Sequence, residues 1–149
     1  YTYVADWKVE LGEGEPHEIK DHSLENFLKQ VEETKENIGP YLNLYQVHSA
    51  TFDSGILADA RVHDAMHHVC HVENGWNIGL SVSGPNQDEV IREALKIRVA
   101  SSLSDDDSGG SGGRKQPSTQ QQQQQQQQRL FDSVQCTYNI LEQRPAHAL

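Results

Sequence analysis

The chain has 149 residues, a formal net charge of −10 and two cysteines, and these values exclude several classes of protein. An acidic chain without a basic stripe argues against binding to nucleic acid or to anionic membranes. Cys70 and Cys136 form no C-x-x-C pair, which favours free buried thiols in a reducing compartment. No apolar run approaches the roughly 20 residues of a membrane span. We therefore expect a cytoplasmic protein with one domain, or a chloroplast protein if a transit peptide precedes the chain.

Residues 24–38 predict the first helix, because their apolar side chains recur on one face at helical spacing. Ser23 is a suitable N-cap, and Gly39-Pro40 is a strong stop signal. A strand is predicted to follow directly, over residues 41–48. Both faces of this strand are largely apolar, which is typical of a parallel strand that is covered on both sides.

Three further elements continue the alternation. Residues 55–72 predict a second helix that Asn74-Gly75 ends, residues 77–82 predict a strand, and Pro85 suits the first position of a third helix. The order helix, strand, helix, strand predicts parallel pairing with right-handed crossovers. This order does not separate a closed barrel from an open doubly wound sheet.

Residues 101–129 interrupt the pattern before a last predicted strand at residues 132–138. They are rich in Ser, Asp and Gly and end in nine consecutive glutamines, Gln120 to Gln128. Such a composition does not bury enough apolar surface to offset chain entropy, so we expect a disordered insert on the face opposite the active rim of a barrel. A functional interaction of the glutamine tract and a neutral repeat expansion both stay open.

Polar residues stand at the carboxyl ends of the predicted strands, where the catalytic residues of α/β barrels lie. His48 ends the first strand and is placed to polarise a substrate carbonyl oxygen. Ser81 lies near the end of the second strand, Gln135 lies in the third, and Asn139 follows it. A glutamine in a strand needs partners for its amide, so Gln135 either binds a ligand amide or forms an internal polar clasp.

Three sequence blocks in this order resemble the aldo-keto reductases. Leu42-Asn-Leu-Tyr-Gln-Val-His48-Ser49 is similar to the Leu-Tyr-x-x-His pattern of their fourth strand, and Ile78-Gly-Leu-Ser81 is similar to the Ile-Gly-Val-Ser of their fifth. The block from Val134 to Arg144 resembles their sixth-strand pattern, Gln-x-x-Tyr-Asn-x-Leu-x-x-Arg. The resemblance implies a partial TIM (β/α)8 barrel of parallel strands alternating with helices. Residues 1–149 would then form an incomplete barrel domain, interrupted by the insert at 101–129.

The resemblance also implies roles for individual residues. His48 matches the active-site histidine that orients the substrate carbonyl. Ser81 and Gln135 match residues that hold the nicotinamide carboxamide of NADP(H), with NAD as the alternative cofactor. Val82 stands where the family usually has asparagine, so one expected carboxamide contact is missing. The implied reaction is hydride transfer between NADPH and a small aldehyde or ketone, or the reverse reaction with an alcohol.

The other catalytic groups of the family fall outside the matched blocks. Its aspartate, tyrosine and lysine are expected on strands that precede Tyr1, so the chain alone is expected to be inactive. Lys8 is a weak candidate for the lysine, because Glu10 and a glycine-containing loop indicate a solvated surface. A non-catalytic regulatory barrel subunit that binds nicotinamide nucleotide is the alternative within this family.

Two interpretations outside the family have less support. The segment Gly79-Leu-Ser81-Val-Ser83 nearly matches the G-x-S-x-G elbow of hydrolases, but its last position is serine. The second helix carries several histidines at spacings that can share a metal ion; they are His63, His67, His68 and His71. Because no H-E-x-x-H carboxylate accompanies them, the preferred interpretation is a solvated helix face, and no metal site is predicted.

Overall fold

The computed structural model describes residues 2–3, 12–15, 18–101 and 127–149, and Lys8 and the insert residues 102–126 lie outside these ranges. The described part is mixed α/β with a parallel three-stranded sheet. In chain order its elements are β1 Thr2–Tyr3, β2 Glu18–Ile19, α1 Leu24–Ile38, β3 Leu44–Ala50, α2 Ala60–Met66, a π-helix His67–Glu73, β4 Asn77–Val82, α3 Gln87–Ala94, β5 Arg98–Ala100, β6 Gln127–Arg129 and β7 Ser133–Gln135. No helix in these ranges has the length and apolar character needed to cross a membrane.

Helix α1 has the bounds that the sequence predicted. The Ser23 hydroxyl accepts a hydrogen bond from Asn26 N at 3.3 Å, which satisfies one of the unpaired donors of the first turn. Phe27 and Val31 are buried on the predicted face, whereas Leu28 is exposed. The helix therefore covers the sheet with a narrower apolar stripe than its sequence indicated.

Strands β3, β4 and β7 form the parallel sheet in the order β3-β4-β7, as the alternation predicted. Strand β4 has its predicted bounds, but β3 begins at Leu44 because a 3-10 turn occupies Gly39–Tyr41 and is closed by a hydrogen bond from Leu42 N to Gly39 O. Strand β7 is shorter than the predicted strand at 132–138. Within the described residues the sheet is open, with β3 and β7 at its edges.

The two faces of the sheet differ in polarity, so the prediction of two apolar, covered faces is wrong. One face contributes to the core, where Phe27 contacts Tyr45 edge-to-face with ring centroids 5.8 Å apart. Its further members are Val47, Ile78, Leu80 and Val82. The opposite face carries Gln46, Gly79 and Ser133 in register across the three strands, with Gln135 two residues further along β7, beside the exposed Leu44 and His48.

Helix α2 begins at Ala60, five residues later than predicted, because the Asp59 carboxylate caps it by accepting from Arg61 N at 3.0 Å. Gly75, at φ 67°, follows the π-helix and turns the chain toward β4. Helix α3 likewise begins two residues after Pro85, at Gln87. Local capping and turn geometry thus set these boundaries, and apolar periodicity does not.

Strands β5 and β6 form an antiparallel hairpin that flanks the insert. Ala100 pairs with Gln127 and Val99 with Gln128, so the expectation of disorder through residue 129 is wrong for residues 127–129. The buried Val99 and a hydrogen bond from Leu130 N to Ile97 O hold this end of the insert against the fold.

Both cysteines are free thiols. Cys70 is buried, which raises its pKa to about 12, whereas Cys136 is only partly buried.

Candidate functional site

The carboxyl ends of β3, β4 and β7 meet at one edge of the sheet, because parallel strands run in the same direction. His48, Ser81 and Gln135 all line one cavity of about 200 Å³ at this edge. The other lining residues are Ser49, Val82, Ser83, Cys136 and Thr137. Asn139 is not among them, because its side chain closes a turn by accepting from Leu141 N and Glu142 N.

His48 is exposed at the point where β3 becomes irregular. The register of β3 on β4 shifts between Val47 and Ala50, and Ser49 has a φ of 57°. A non-glycine residue at positive φ costs on the order of 1–2 kcal/mol. Ser49 N donates to Ser81 Oγ at 2.7 Å, and the hydroxyls of Ser49 and Ser83 are hydrogen-bonded. These contacts hold the bulge in place, as expected of a strained backbone at a functional edge.

Ser81 is buried, lies inside β4 and pairs in register with Gln135. Its hydroxyl accepts the bond from Ser49 N and, as a hydroxyl, can donate one more. A hydrolase nucleophile elbow requires a sharp strand-to-helix turn at the serine. Because Ser81 lies in a regular strand, the hydrolase interpretation loses its structural basis.

An amide bridge joins the two edge strands across β4. Gln46 Nε2 donates to Gln135 Oε1 at 2.8 Å, so the internal clasp that was one of the two alternatives for Gln135 is present. The bridge passes over Gly79, where a Cβ would lie 2.8 Å from Ser133 Oγ and 3.2 Å from Gln46 Oε1. Gln135 is thereby fixed at the floor of the cavity, with its NH₂ group still able to donate.

A second cavity, of about 350 Å³, shares His48 with the first and also includes His22. Its apolar lining is Phe27, Val47, Ile56, Val62 and Met66. His22 Nε2 donates to His48 O at 3.0 Å, because a carbonyl oxygen only accepts. Burial lowers the pKa of His22, and its buried Nδ1 has no hydrogen-bond partner among the described residues. No sequence pattern pointed to His22, because it precedes α1 and belongs to no periodic pattern.

The histidines of the second helix do not form a solvated face. His63 and His67 are buried, and His63 Nε2 is hydrogen-bonded to Ile56 O. His71 Nε2 lies 2.7 Å from the Asp132 carboxylate, whereas His68 is exposed beside Glu73. In the described ranges, no group of three or more His, Cys, Asp and Glu side chains is placed to hold a metal ion.

Compared with known proteins, the chain matches no family model, no curated protein and no solved structure. The chemistry of the site therefore follows from its own side chains: an imidazole, a hydroxyl and a carboxamide around one cavity. Its volume is below the roughly 300–1,000 Å³ of pockets that enclose a drug-sized ligand. The cavity suits a single ring with a hydrogen-bonding substituent better than a whole cofactor.

Proposed function

We propose that this chain forms the nicotinamide-binding part of an NADP(H)-dependent oxidoreductase of the aldo-keto reductase type, and that its parallel sheet is part of a TIM (β/α)8 barrel. The observation that carries the proposal is the meeting of His48, Ser81 and Gln135, each from a different family-like block, around one cavity. This cavity lies at the carboxyl ends of the parallel strands, which is where α/β folds bind their ligands.

The polar groups of the cavity fit a carboxamide. A carboxamide presents an oxygen acceptor and two N–H donors. The Ser81 hydroxyl and the Gln135 NH₂ group are donors for that oxygen, while their own acceptor atoms are engaged by Ser49 N and Gln46. Val82 belongs to the core and adds no polar contact. With a volume of about 200 Å³, the cavity would hold the ring and its amide but not the whole dinucleotide.

His48 is the residue proposed to orient the substrate. It is exposed at the rim of both cavities, where its imidazole can donate to the oxygen of an aldehyde or ketone. The bound cofactor supplies the hydride. The three family-like blocks contain no match to the family's tyrosine proton donor, lysine and aspartate, so the role that we propose for these blocks is to bind the cofactor and to orient the substrate.

Binding of reduced nicotinamide mononucleotide to the ¹⁵N-labelled chain tests the proposal. We expect amide shifts to change at the three strand ends that carry His48, Ser81 and Gln135. Gln135→Met should weaken binding by about 3- to 10-fold, which is the worth of one lost hydrogen bond. The matched control is Gln143→Met, because Gln143 is exposed and outside the cavity lining. Absent shifts at these strand ends, or equal weakening in both variants, would contradict the proposal.

The non-catalytic alternative differs only in the groups that would give the proton. A regulatory subunit would bind the nucleotide through the same Ser81 and Gln135 but lack the tyrosine and lysine. Reading the coding sequence upstream of Tyr1 separates the two proposals. An upstream aspartate, tyrosine and lysine, together with NADPH oxidation by the longer protein in the presence of aldehydes, would support the reductase.

A further inference from the structure

Two histidines of the π-helix face each other at the amino-terminal end of the sheet, away from His48. The Nδ1 atoms of His67 and His71 are 3.1 Å apart, and their rings meet edge-to-face with centroids 5.2 Å apart. The side-chain amide of Gln128, in β6, lies 3.2 Å from His67 Nδ1. Because amide oxygen and nitrogen are assigned from the hydrogen-bond network, either atom can face the imidazole.

The position of the ring protons leaves lone pairs unsatisfied at this contact. His71 Nε2 lies 2.7 Å from Asp132 Oδ2, a carboxylate oxygen that also accepts from Ile78 N at 2.8 Å. An ionised carboxylate only accepts, so the proton of a neutral His71 lies on Nε2 and its Nδ1 carries a lone pair. His71 therefore presents an acceptor to His67.

His67 has two neutral arrangements, and neither satisfies all of its nitrogens. With its proton on Nδ1, the ring donates to His71 but leaves a buried Nε2 acceptor without a hydrogen-bond partner among the described residues. With its proton on Nε2, two Nδ1 lone pairs face each other at 3.1 Å. In this second arrangement the Gln128 NH₂ group can donate to His67 Nδ1, and a cation between the two nitrogens is the alternative that binds both lone pairs.

We propose that His67 and His71, with the side-chain oxygen of Gln128, bind a divalent transition-metal ion whose remaining ligands are water. Two imidazole nitrogens that each lie about 2.0–2.1 Å from one tetrahedral zinc ion are separated by roughly 3.3–3.4 Å, and the observed separation of 3.1 Å is within a few tenths of an ångström of this distance. Imidazole suits zinc, copper and nickel, whereas magnesium and calcium prefer oxygen ligands.

The surroundings of the two rings are those of a metal site. A carboxylate on the outer nitrogen of a ligating histidine fixes the ring and raises its basicity, and Asp132 has this position on His71. A cavity of about 500 Å³ gives ions and water access to His67, His71 and Gln128. Arg129 lines the same cavity, and the Asp132 carboxylate offsets its charge.

The proposed site requires only two histidines, so it agrees with the absence of a larger ligand group in the described ranges. The nearby His63 and His68 are engaged elsewhere, with Ile56 O and Glu73. The ion would connect the π-helix to the last glutamine of the tract. It would therefore stabilise the docking of the β5–β6 hairpin, in a structural role.

Calorimetric titration of the tag-free chain with ZnCl₂ tests this site, with MgCl₂ as the ion that should not bind. We expect one zinc site, and zinc should raise the melting temperature of the unmodified chain. His71→Gln should lower the zinc affinity by at least about 10-fold and remove the zinc-dependent rise, and Asp132→Asn should weaken binding by about 10-fold. His68→Gln, an exposed neighbour in the same π-helix, is the matched control and should bind zinc normally.

Two results of the calorimetric and melting experiments would overturn the proposal. One is the absence of zinc binding and of any zinc-dependent rise in melting temperature in the unmodified chain. The other is an equal loss of affinity in His68→Gln and His71→Gln, which would indicate binding to exposed histidines only. Melting of each variant without metal separates loss of the site from loss of folding. ¹⁵N shifts of the rings should place zinc on Nδ1, and binding through Nε2 would also contradict the geometry.

Discussion

Gly79 is the residue that allows the amide bridge of the candidate site to form. Replacing it with alanine would place a Cβ 2.8 Å from Ser133 Oγ, 3.1 Å from Leu44 Cδ1 and 3.2 Å from Gln46 Oε1. Overpacking of this kind costs about 1–3 kcal/mol. We therefore expect Gly79→Ala to lower the free energy of unfolding by about 1–3 kcal/mol in urea titrations, and to shift the side-chain amide signals of Gln46 and Gln135.

Gly39→Ala is the control for the Gly79 prediction. Gly39 has a helical φ of −46°, and a Cβ there would meet only Lys35 Cβ, at 3.7 Å. This alanine should cost less than Gly79→Ala, because its Cβ meets no close atom beyond the chain neighbours, although Pro40 disfavours a helical backbone at a preceding residue that has a Cβ. Unchanged amide signals in Gly79→Ala, with stability equal to that of Gly39→Ala, would show that the bridge does not depend on Gly79.

At the residue scale, the sequence indicated which side chains meet at the sheet edge but gave little of their hydrogen bonding. His48, Ser81 and Gln135 were placed together because each was predicted to lie in, or at the end of, one of three parallel strands. The bond between Gln46 and Gln135 joins residues 89 positions apart, and no local pattern reports such a pair. The bulge at Ser49 was also missed, because a positive φ at a serine has no signature in the sequence.

At the scale of helices and strands, the predicted bounds agree with the structure where the sequence carries strong capping and stop signals. Helix α1 has a serine N-cap and a Gly-Pro stop, and both of its ends were predicted. Helix α2 was predicted too early because the apolar residues before Asp59 lie in turns that continue its periodicity. Strand β7 was predicted too long because only Ser133–Gln135 find a partner on β4. Strand ends depend on pairing, which a single sequence does not show.

Because β5 and β6 pair on either side of the insert, we expect the chain to fold without the insert. Ala100 and Gln127 are paired, so replacing residues 101–126 with Asn-Gly creates a two-residue hairpin loop of the favoured type I′. Each doubling of a loop costs about 0.6 kcal/mol in closure entropy, so the shortened chain should be more stable by up to about 2 kcal/mol. Urea unfolding measures this gain.

The matched control for the hairpin carries Pro-Gly at the same two positions. An L-Pro-Gly loop favours turn types I and II, which splay the strands of a two-residue hairpin. It should therefore be less stable than the Asn-Gly chain of equal length. Equal stability of the two loops, or unfolding of the Asn-Gly chain, would indicate that β5 and β6 do not pair in the register described.

At the scale of the whole molecule, the described fold leaves apolar surface and strand edges uncovered. Tyr41 is 85% exposed, Ile140 87% and Leu141 93%, and the last two are adjacent in the chain. Strands β3 and β7 are the edges of the parallel sheet within the described residues. Exposed strand edges pair readily with other chains, and exposed apolar patches mark association surfaces.

We therefore expect the chain to self-associate as its concentration rises, and sedimentation velocity measures this directly. A lysine on an edge strand opposes edge-to-edge pairing, so Leu44→Lys should shift the population toward monomer. Leu28→Lys is the matched control, because Leu28 and Leu44 are 43% and 39% exposed but Leu28 lies on α1. Both lysines add the same charge and leave the glutamine tract unchanged, so a difference between them reports on β3. An equal effect of the two substitutions would show that net charge, and not the edge of β3, controls the association. A chain that stays monomeric at all concentrations and melts in one sharp cooperative transition would show that the open strand edges do not cause association.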